Sequence, residues 1–328
     1  MGTSALRVIQ IGRESVWGTG VAAAAILAGV NDFKFNPGIT TALRRYLAGS
    51  FAPANASALV RQQPTAKISG DVTPEDIIYL LDSCVKGSVV PTGANPYVYA
   101  FTLPTTASPA LRSRTFEFYD GSQEWELYGG LINKIAFKGA DGSDVVSFEA
   151  ELIGKQLTSS TVTGALSPRA FTTFPTAQSQ LYIDAAAGTI GTTAVAATLI
   201  DWEYSIDMGL HVKFFQDGGV VASAFGYGVP KVMLKATYEY NASAQSELTA
   251  HVAGTPKLVR IKLNGSGTNT AFLDIAGPAT SIGDMFGDRD GNTIVEGVTY
   301  EARLDAGAFA NYGAVTITNT IANFVTNA

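Results

Sequence analysis

The most constraining feature of the sequence is a pattern of residues that occurs twice. Val30–Phe35 reads as an apolar residue, an Asp two positions later, and then aromatic, charged and aromatic residues; Leu199–Tyr204 repeats that order. Phe148–Leu152 and Tyr300–Leu304 share a second pattern, in which an aromatic residue and a Glu precede Ala. Because self-similarity at a long period marks a repeated structural unit, the sequence predicts two related halves.

The length of the chain agrees with two domains, since 328 residues is about twice a typical domain of roughly 150. We predict tandem β domains at residues 1–160 and 161–328, the second beginning with a linker rich in Ser, Thr, Ala and Gly. The separation between matched positions shortens after the first predicted helix, which places an insertion at about 88–112 in the first half. Residues 1–25 are predicted to be an extended N-terminal arm.

Composition favours a mainly β fold, a β-sandwich or barrel-forming arrangement with short flanking helices. Glycine is abundant (34 residues), and 13 Tyr and 17 Phe favour strands. Only 15% of residues are charged, against an average of about 25%. We therefore expect much of the surface to consist of Ser, Thr, Ala, Gly and Asn, or to be buried against other copies of the chain.

Two short amphipathic helices interrupt the strands. Thr73-Pro74 opens the first helix with an N-cap residue and a proline suited to the first turn, and Asn241 or Ser243 is a candidate cap for the second. The spacing of apolar residues predicts one packing stripe on each helix. The predicted packing residues are Ile77, Leu80 and Leu81 on the first helix and Leu248 and Val252 on the second.

The sequence gives little support to enzymatic chemistry. It has one cysteine and two distant histidines, so we expect neither a disulfide framework nor a metal site. Gly-rich stretches lack phosphate-binding spacing, and we predict no catalytic residue and no cofactor. A net charge of −6 argues against adhesive nucleic-acid binding, which needs a basic patch.

Partner contacts are predicted in two stretches that lack strand patterning. Loops as long as residues 37–63 are usually functional or disordered. The candidates for contacts between subunits or rings are Arg44, Arg45, Tyr46, Phe51 and Arg61 of this stretch, with Arg7, Arg13 and Trp17 of the N-terminal arm. Glu149, Glu151 and Glu301 are candidates for an acidic face lining a channel, because residues two apart on a strand point to one side.

No signal peptide is recognisable at the N-terminus, and Val21–Ala28 is too short to span a membrane. We expect no membrane association and a cytoplasmic site of synthesis.

The whole chain resembles the tail tube proteins of long-tailed bacteriophages. Glu14, Trp17, Gly18 and Thr19 resemble the family's opening Glu-x-x-Trp-Gly-Thr motif. Leu199–Gly209, Asp217–Gly219 and Val298–Leu304 are similar to segments of the second half of the pattern.

The resemblance implies a structural virion protein in which each half is a β-sandwich with one flanking helix. Six such domains would close a ring around an inner β-barrel, so that a two-domain chain would need three copies, and rings would stack into a tube. Long loops and the N-terminal arm would bridge rings, and double-stranded DNA would pass through the lumen without specific binding. The implied partners are further copies of the chain and the tape measure, tail terminator and distal tail proteins, in a virion tail assembled in the host cytoplasm.

Other functions remain open from the residues alone. One alternative is another virion or surface β protein, such as a capsid decoration, fibre or S-layer module. Another is a carbohydrate-binding β-sandwich or β-sandwich enzyme. A ring of six chains also remains open if the repeat is only apparent.

Overall fold

A computed structural model describes residues 6–46, 49, 51, 53–54, 56–322 and 324. The mainly β prediction is confirmed: two α-helices accompany 23 strands in the described part of the chain. The first part of the chain forms β1 (Val8–Arg13), β2 (Ala25–Ile26), β3 (Val30–Asn36), β4 (Ile39–Arg44), β5 (Ala56–Gln62), β6 (Thr65–Asp71), α1 (Ile77–Cys84), β7 (Tyr97–Thr102), β8 (Arg114–Tyr119), β9 (Glu124–Gly139), β10 (Ser147–Ile153) and β11 (Gln156–Ser159).

The remaining elements follow a short 3-10 turn at Thr176–Gln178. They are β12 (Gln180–Ala185), β13 (Ala194–Val195), β14 (Leu199–Asp207), β15 (His211–Lys213), β16 (Ala224–Gly226), β17 (Lys231–Glu239), α2 (Ala242–Val252), β18 (Lys257–Asn264), β19 (Thr270–Gly277), β20 (Ala279–Ser281), β21 (Asp284–Arg289), β22 (Asn292–Glu301) and β23 (Gly313–Asn319).

Eight strands form one continuous antiparallel sheet, here called the long sheet, in the order β3-β6-β10-β9-β14-β17-β22-β20. One face is apolar and the other polar, and the alternation between them is clearest in β14 and β17. In β17, Val232, Leu234 and Ala236 are buried, whereas Lys231, Met233 and Lys235 are exposed. This alternation is typical of an antiparallel sheet with a core on one side.

Two further groups of strands cover the apolar face. The first cover sheet is β2-β1-β8-β9-β11, in which β9 contributes its N-terminal part before bending into the long sheet. The second cover sheet is β13-β12-β18-β19-β23-β7. A buried core of Ile, Leu, Val and aromatic side chains fills the space between the layers.

Strand β7 ties the two parts of the chain together. It lies within the predicted insertion at about 88–112 and pairs along its whole length with β23, near the other end of the sequence. The Tyr99 and Phe101 side chains are fully buried, and the Tyr99 hydroxyl donates to the Ile321 carbonyl at 2.7 Å. The extra segment of the first half is therefore an edge strand of the second cover sheet.

Two predictions of irregular structure are wrong. Residues 8–13, predicted within an extended arm, form β1 in the first cover sheet and place Ile9 and Ile11 in the core. The stretch 37–63 contains the β4–β5 hairpin, here called the first hairpin. Both faces of that hairpin are largely exposed, so it lacks the alternation by which strands are recognised. Residues 47, 48, 50, 52 and 55 near its tip lie outside the described part, as do 1–5 at the start of the predicted arm.

Candidate assembly interface

The long sheet consists of two four-stranded units with the same strand order. The first unit is β3-β6-β10-β9, and the second unit is β14-β17-β22-β20. Phe33 of β3 pairs with Ile68, as Trp202 of β14 pairs with Ala236. Both pairings contain a register shift at the same place, immediately before Asp32 in one unit and Asp201 in the other.

The same local hydrogen bonds recur where each unit leaves its first strand. The amide of Gly38 donates to the Asn36 side chain at 2.9 Å, and the amide of Gly209 donates to the Asp207 side chain at 2.8 Å. Both glycines have a left-handed φ, 61° at Gly38 and 59° at Gly209, and this conformation favours glycine at this point of the turn. Each turn therefore aims a hairpin out of the sheet in the same way.

The chain segments that lead into the two helices also share hydrogen bonds. Thr73 and Asn241 occupy matching positions, because the carbonyl of each accepts from the amide four residues later and the side chain of each from the amide three residues later. The predicted capping by Asn241 is confirmed, and its amide oxygen accepts from Ser243 and Ala244. Thr73 lies at the start of a turn, and α1 itself begins at Ile77.

One alignment made from sequence does not survive. Tyr300 pairs with Leu234, and the matching pair in the first unit is Leu152 with Ala66. Tyr300 therefore corresponds to Leu152 and not to Phe148. The two segments were matched because each has an aromatic residue and a Glu before Ala. A bulge between Ala236 and Tyr238 changes the spacing along the second unit, so the shared residue types do not mark equivalent positions.

The two units are joined edge to edge by β9 and β14. Their register runs from Lys134 opposite Asp207 to Gly139 opposite Trp202. At one end of the joint, the Asp141 amide donates to the Asp201 carboxylate at 2.7 Å, and Arg289 pairs with the same carboxylate. Asn133 closes the other end, where its side chain accepts from the Leu210 amide at 2.5 Å.

Two edges of the long sheet stay open in the described chain. Within it, β3 pairs only with β6, while β20 and β21 pair only with β22. An open edge carries unpaired N–H and C=O groups that can pair with another chain. The β20–β21 edge is the last strand position of the second unit, as β9 is of the first unit. The β3 edge is the first strand position of the first unit, as β14 is of the second unit.

The two helices are buried to different extents, and α2, beside an open edge of the sheet, is the more exposed of the two. All eight residues of α1, including Ile77, Leu80 and Leu81, are buried, whereas in α2 only Ala244, Glu247 and Leu248 are buried. Val252 corresponds to the fully buried Cys84, yet it is 86% exposed. Its predicted packing therefore does not occur within a single chain.

The residues predicted to contact partners are distributed between core and surface. Arg13 lies against the buried Asp82 at 3.7 Å, and Arg7 pairs with Asp32 at 3.8 Å on the surface. The Arg61 guanidinium lies over the Phe214 ring at 4.0 Å. Arg44, Arg45, Tyr46 and Phe51 of the first hairpin are exposed.

The Glu-x-x-Trp-Gly-Thr motif locks the corner where β9 bends between sheets. The buried Glu14 carboxylate accepts from the Gly129 and Gly18 amides at 2.7 and 2.8 Å, and from the Ser113 hydroxyl at 2.6 Å. The Trp17 indole donates to the Gly129 carbonyl at 3.0 Å. Trp17 was predicted as a partner contact, and the role of Glu14 was not inferred from sequence.

The polar face of the long sheet carries both signs of charge. Glu149 and Glu151 are half-exposed, and Lys67 lies 3.8 and 2.9 Å from their carboxylates. Lys138 lies 3.5 Å from Glu149 and 3.9 Å from Glu203. Glu301, exposed on β22, is opposite Met233. The face predicted to be acidic is therefore a mixed lattice of carboxylates and lysines.

Asp76, at the start of α1, gives the fold a testable pH dependence. Its carboxylate accepts from the Gly29 amide at 3.0 Å, but burial raises the pKa of Asp76 above its ordinary value of 3.8. The folded chain then binds this proton more tightly than the unfolded chain, so this residue's contribution to stability falls as pH rises above about 4.

For Asp76→Asn we expect urea unfolding at several pH values to show a growing stability advantage over the wild type from pH 4 towards 7. Asp217→Asn is the control with the opposite sign. Hydrogen bonds from Ser223 and Gly219 lower the pKa of Asp217, so the wild type should gain on that variant as pH rises. A pH-independent difference for Asp76→Asn would contradict the assignment.

Two other kinds of feature are absent from the described residues. No cluster of His, Cys, Asp and Glu side chains has the geometry to hold a metal ion. No helix is long and apolar enough to cross a membrane.

Comparison with known proteins identifies the family. A family model described as phage tail tube protein matches residues 4–302 of the chain. A search of curated proteins gave no significant match. Because the family match covers most of the sequence and both units of the long sheet, the chain belongs to the phage tail tube protein family.

Proposed function

We propose that this chain is the structural subunit of a hollow phage tail tube, and that three copies close each ring. The observation that carries the proposal is the β9–β14 joint, at which two units of the same strand order meet within one chain. The β20–β21 edge of one copy would pair with β3 of the next in the same way. Closure would leave no open edge, which is how barrels avoid uncontrolled strand pairing.

The exposure of α2 supports the same joint. In the first unit, the helix is covered on all sides by the rest of the chain. In the second unit, Val252 is left exposed beside the open edge, since α2 packs on β20. A neighbouring copy joined at β3 would cover α2 as the second unit covers α1.

The polar face of the long sheet would line the lumen. Its carboxylates lie beside Lys67 and Lys138, so phosphate groups would meet neither a strongly attractive nor a strongly repulsive wall. Double-stranded DNA could then pass without specific binding. Rings would stack into a tube that also contacts tape measure, tail terminator and distal tail proteins, in a virion tail assembled in the host cytoplasm.

Electron microscopy of the purified protein tests this function. We expect hollow tubes of uniform diameter, or isolated rings at low concentration. Monomers that stay dispersed at high concentration, or flat sheets and solid spikes, would contradict a tube subunit.

A further inference from the structure

The residues 210–227, here called the second hairpin, pack on a corner of the first half of the same chain. This hairpin contains β15 and β16. Its Phe225 ring lies 5.4 Å from the Trp17 ring, and the Tyr227 hydroxyl donates to the Pro109 carbonyl at 2.7 Å. Beneath it, the Lys155 ammonium lies 5.1 Å from the Trp17 ring. The corner is thus filled by Trp17 and covered by the second hairpin.

The first hairpin leaves the long sheet in the same way. The Gln63 amide donates to the Gly38 carbonyl at 3.0 Å, and the Gly228 amide donates to the Gly209 carbonyl at 2.9 Å. Counting back from these closing residues, Val60 occupies the place of Phe225. The bulge in β5 puts Leu59 beside it.

The apolar side chains of the first hairpin are exposed in a single chain. Ile39 is 58% exposed, Leu43 71%, and Leu59 and Val60 51% each. A contiguous exposed apolar surface marks a site of interaction with another molecule. The second hairpin shows what such a surface covers, since its Phe225 is half-buried against Trp17.

The second half has the same corner, and there it is empty. The Arg303 amide donates to the Ala276 carbonyl at 2.7 Å, as the Lys155 amide donates to Tyr128 at 2.8 Å. Beside Arg303 lies a cavity of about 300 Å³, lined by Ala186, Ala187, Pro256, Ala276 and Gly277 among others. We call this cavity the corner pocket. Lys257, Leu258, Arg303, Leu304 and Asp305 also line it, and its lining contains no aromatic side chain where the first half has Trp17.

We propose that the corner pocket receives Leu59 and Val60 of the first hairpin of a second copy of this chain. The inference rests on the proposed function, because the copy that pairs its β3 with the β20–β21 edge carries the first hairpin to this corner. We choose a second copy as the occupant because the equivalent contact already exists within the chain, where the second hairpin packs on the corner of the first half. Ring closure would therefore use two contacts at each joint, a strand pairing and a hairpin seated in a pocket.

Cysteine cross-linking tests the contact in assembled protein. Val60→Cys and Ala187→Cys are introduced together, assembled, and treated with a short bis-maleimide; the native Cys84 is fully buried. We expect linked dimers and trimers on denaturing gels from the double variant. Each single variant should stay monomeric on the gel.

A second measurement covers variants that assemble poorly. Val60→Asp should raise the concentration needed for ring formation by roughly tenfold or more, because it removes the apolar side chain that fills the pocket and requires a carboxylate to lose its hydration there. The matched control is Val90→Asp, which makes the same change at another exposed valine, in the insertion. Both variants should unfold in urea like the wild type.

The outcomes separate the two proposals. Tubes of the double-cysteine variant that give no cross-linked species, together with a Val60→Asp variant that assembles like its control, would overturn the corner-pocket contact and leave the tube intact. A wild-type chain that forms no rings would instead overturn the proposed function.

Discussion

Replacing Val252 with Glu should strongly weaken ring formation and leave the fold of the single chain nearly unchanged. Val252 is 86% exposed at the end of α2, so the substitution should change the free energy of unfolding by less than about 1 kcal/mol. In a joint between copies, the carboxylate would be buried as Cys84 is buried at the β9–β14 joint. An unpaired buried charge costs several kcal/mol, so the concentration needed for assembly should rise at least about 100-fold.

Sedimentation of the assembled fraction over a concentration series measures this effect. Val90→Glu is the control, since Val90 is also an exposed valine but lies in the insertion and not in the second helix beside the β20–β21 edge. The control should assemble like the wild type. If Val252→Glu forms rings at wild-type concentrations, the second helix is not covered by a neighbouring copy, and the proposed pairing of the β20–β21 edge with β3 of the next copy is wrong.

The largest loss of stability is expected from Asp82→Ala. The Asp82 carboxylate and the Arg114 guanidinium are both fully buried, with Oδ2 and Nη2 2.6 Å apart, and the same carboxylate accepts from the Ser88 amide at 2.6 Å. Burial lowers the pKa of Arg114, and the Asp82 carboxylate opposes that shift. Removing the carboxylate leaves a buried cation without its counter-ion, which should destabilise the fold by about 3–5 kcal/mol.

A double variant separates the ion pair from general packing. Asp82→Leu with Arg114→Met fills the site with apolar side chains, and such replacements are often neutral or stabilising. Urea unfolding should therefore show a double variant far more stable than Asp82→Ala. Equal losses in the two would mean that the volume of the site, and not the unpaired charge, determines the cost.

Periodicity in the sequence was sufficient for the strands that have one buried face. β14 and β17 alternate apolar and polar residues, and both were predicted close to their observed bounds. The start of the second helix was also readable, because the Asn241 side chain caps α2. These signals are local, so one sequence contains them. The predicted start of the first helix at Thr73-Pro74 is wrong, since α1 begins at Ile77 after Asp76.

The parts that were missed depend on distant contacts. β1 has four consecutive buried residues, Gln10 and Gly12 among them, and its pattern alternates no more than a loop does. β7 finds its partner β23 more than two hundred residues away, a pairing that no local pattern specifies. The first hairpin is exposed on both faces, so within one chain nothing imposes a periodic pattern on it.

The candidate interface was predictable only in outline. Sequence repetition pointed to two units, but their equivalence rests on register, on shared bulges and on the matched turns at Gly38 and Gly209. The opposite burial of Cys84 and Val252 had no signal in the sequence, because both residues fit an apolar helix stripe. Only exposure in the folded chain distinguishes a core position such as Cys84 from a position such as Val252 that is accessible to a second molecule.

Counting the chains in one ring tests directly whether each chain supplies two equivalent units to the ring wall. A cryo-EM reconstruction of tubes or isolated rings gives this number. We expect three chains per ring and a wall of six units, with β20–β21 of each chain beside β3 of the next. Six chains per ring, or a ring wall in which β3 has no strand beside it, would rule out the three-chain ring.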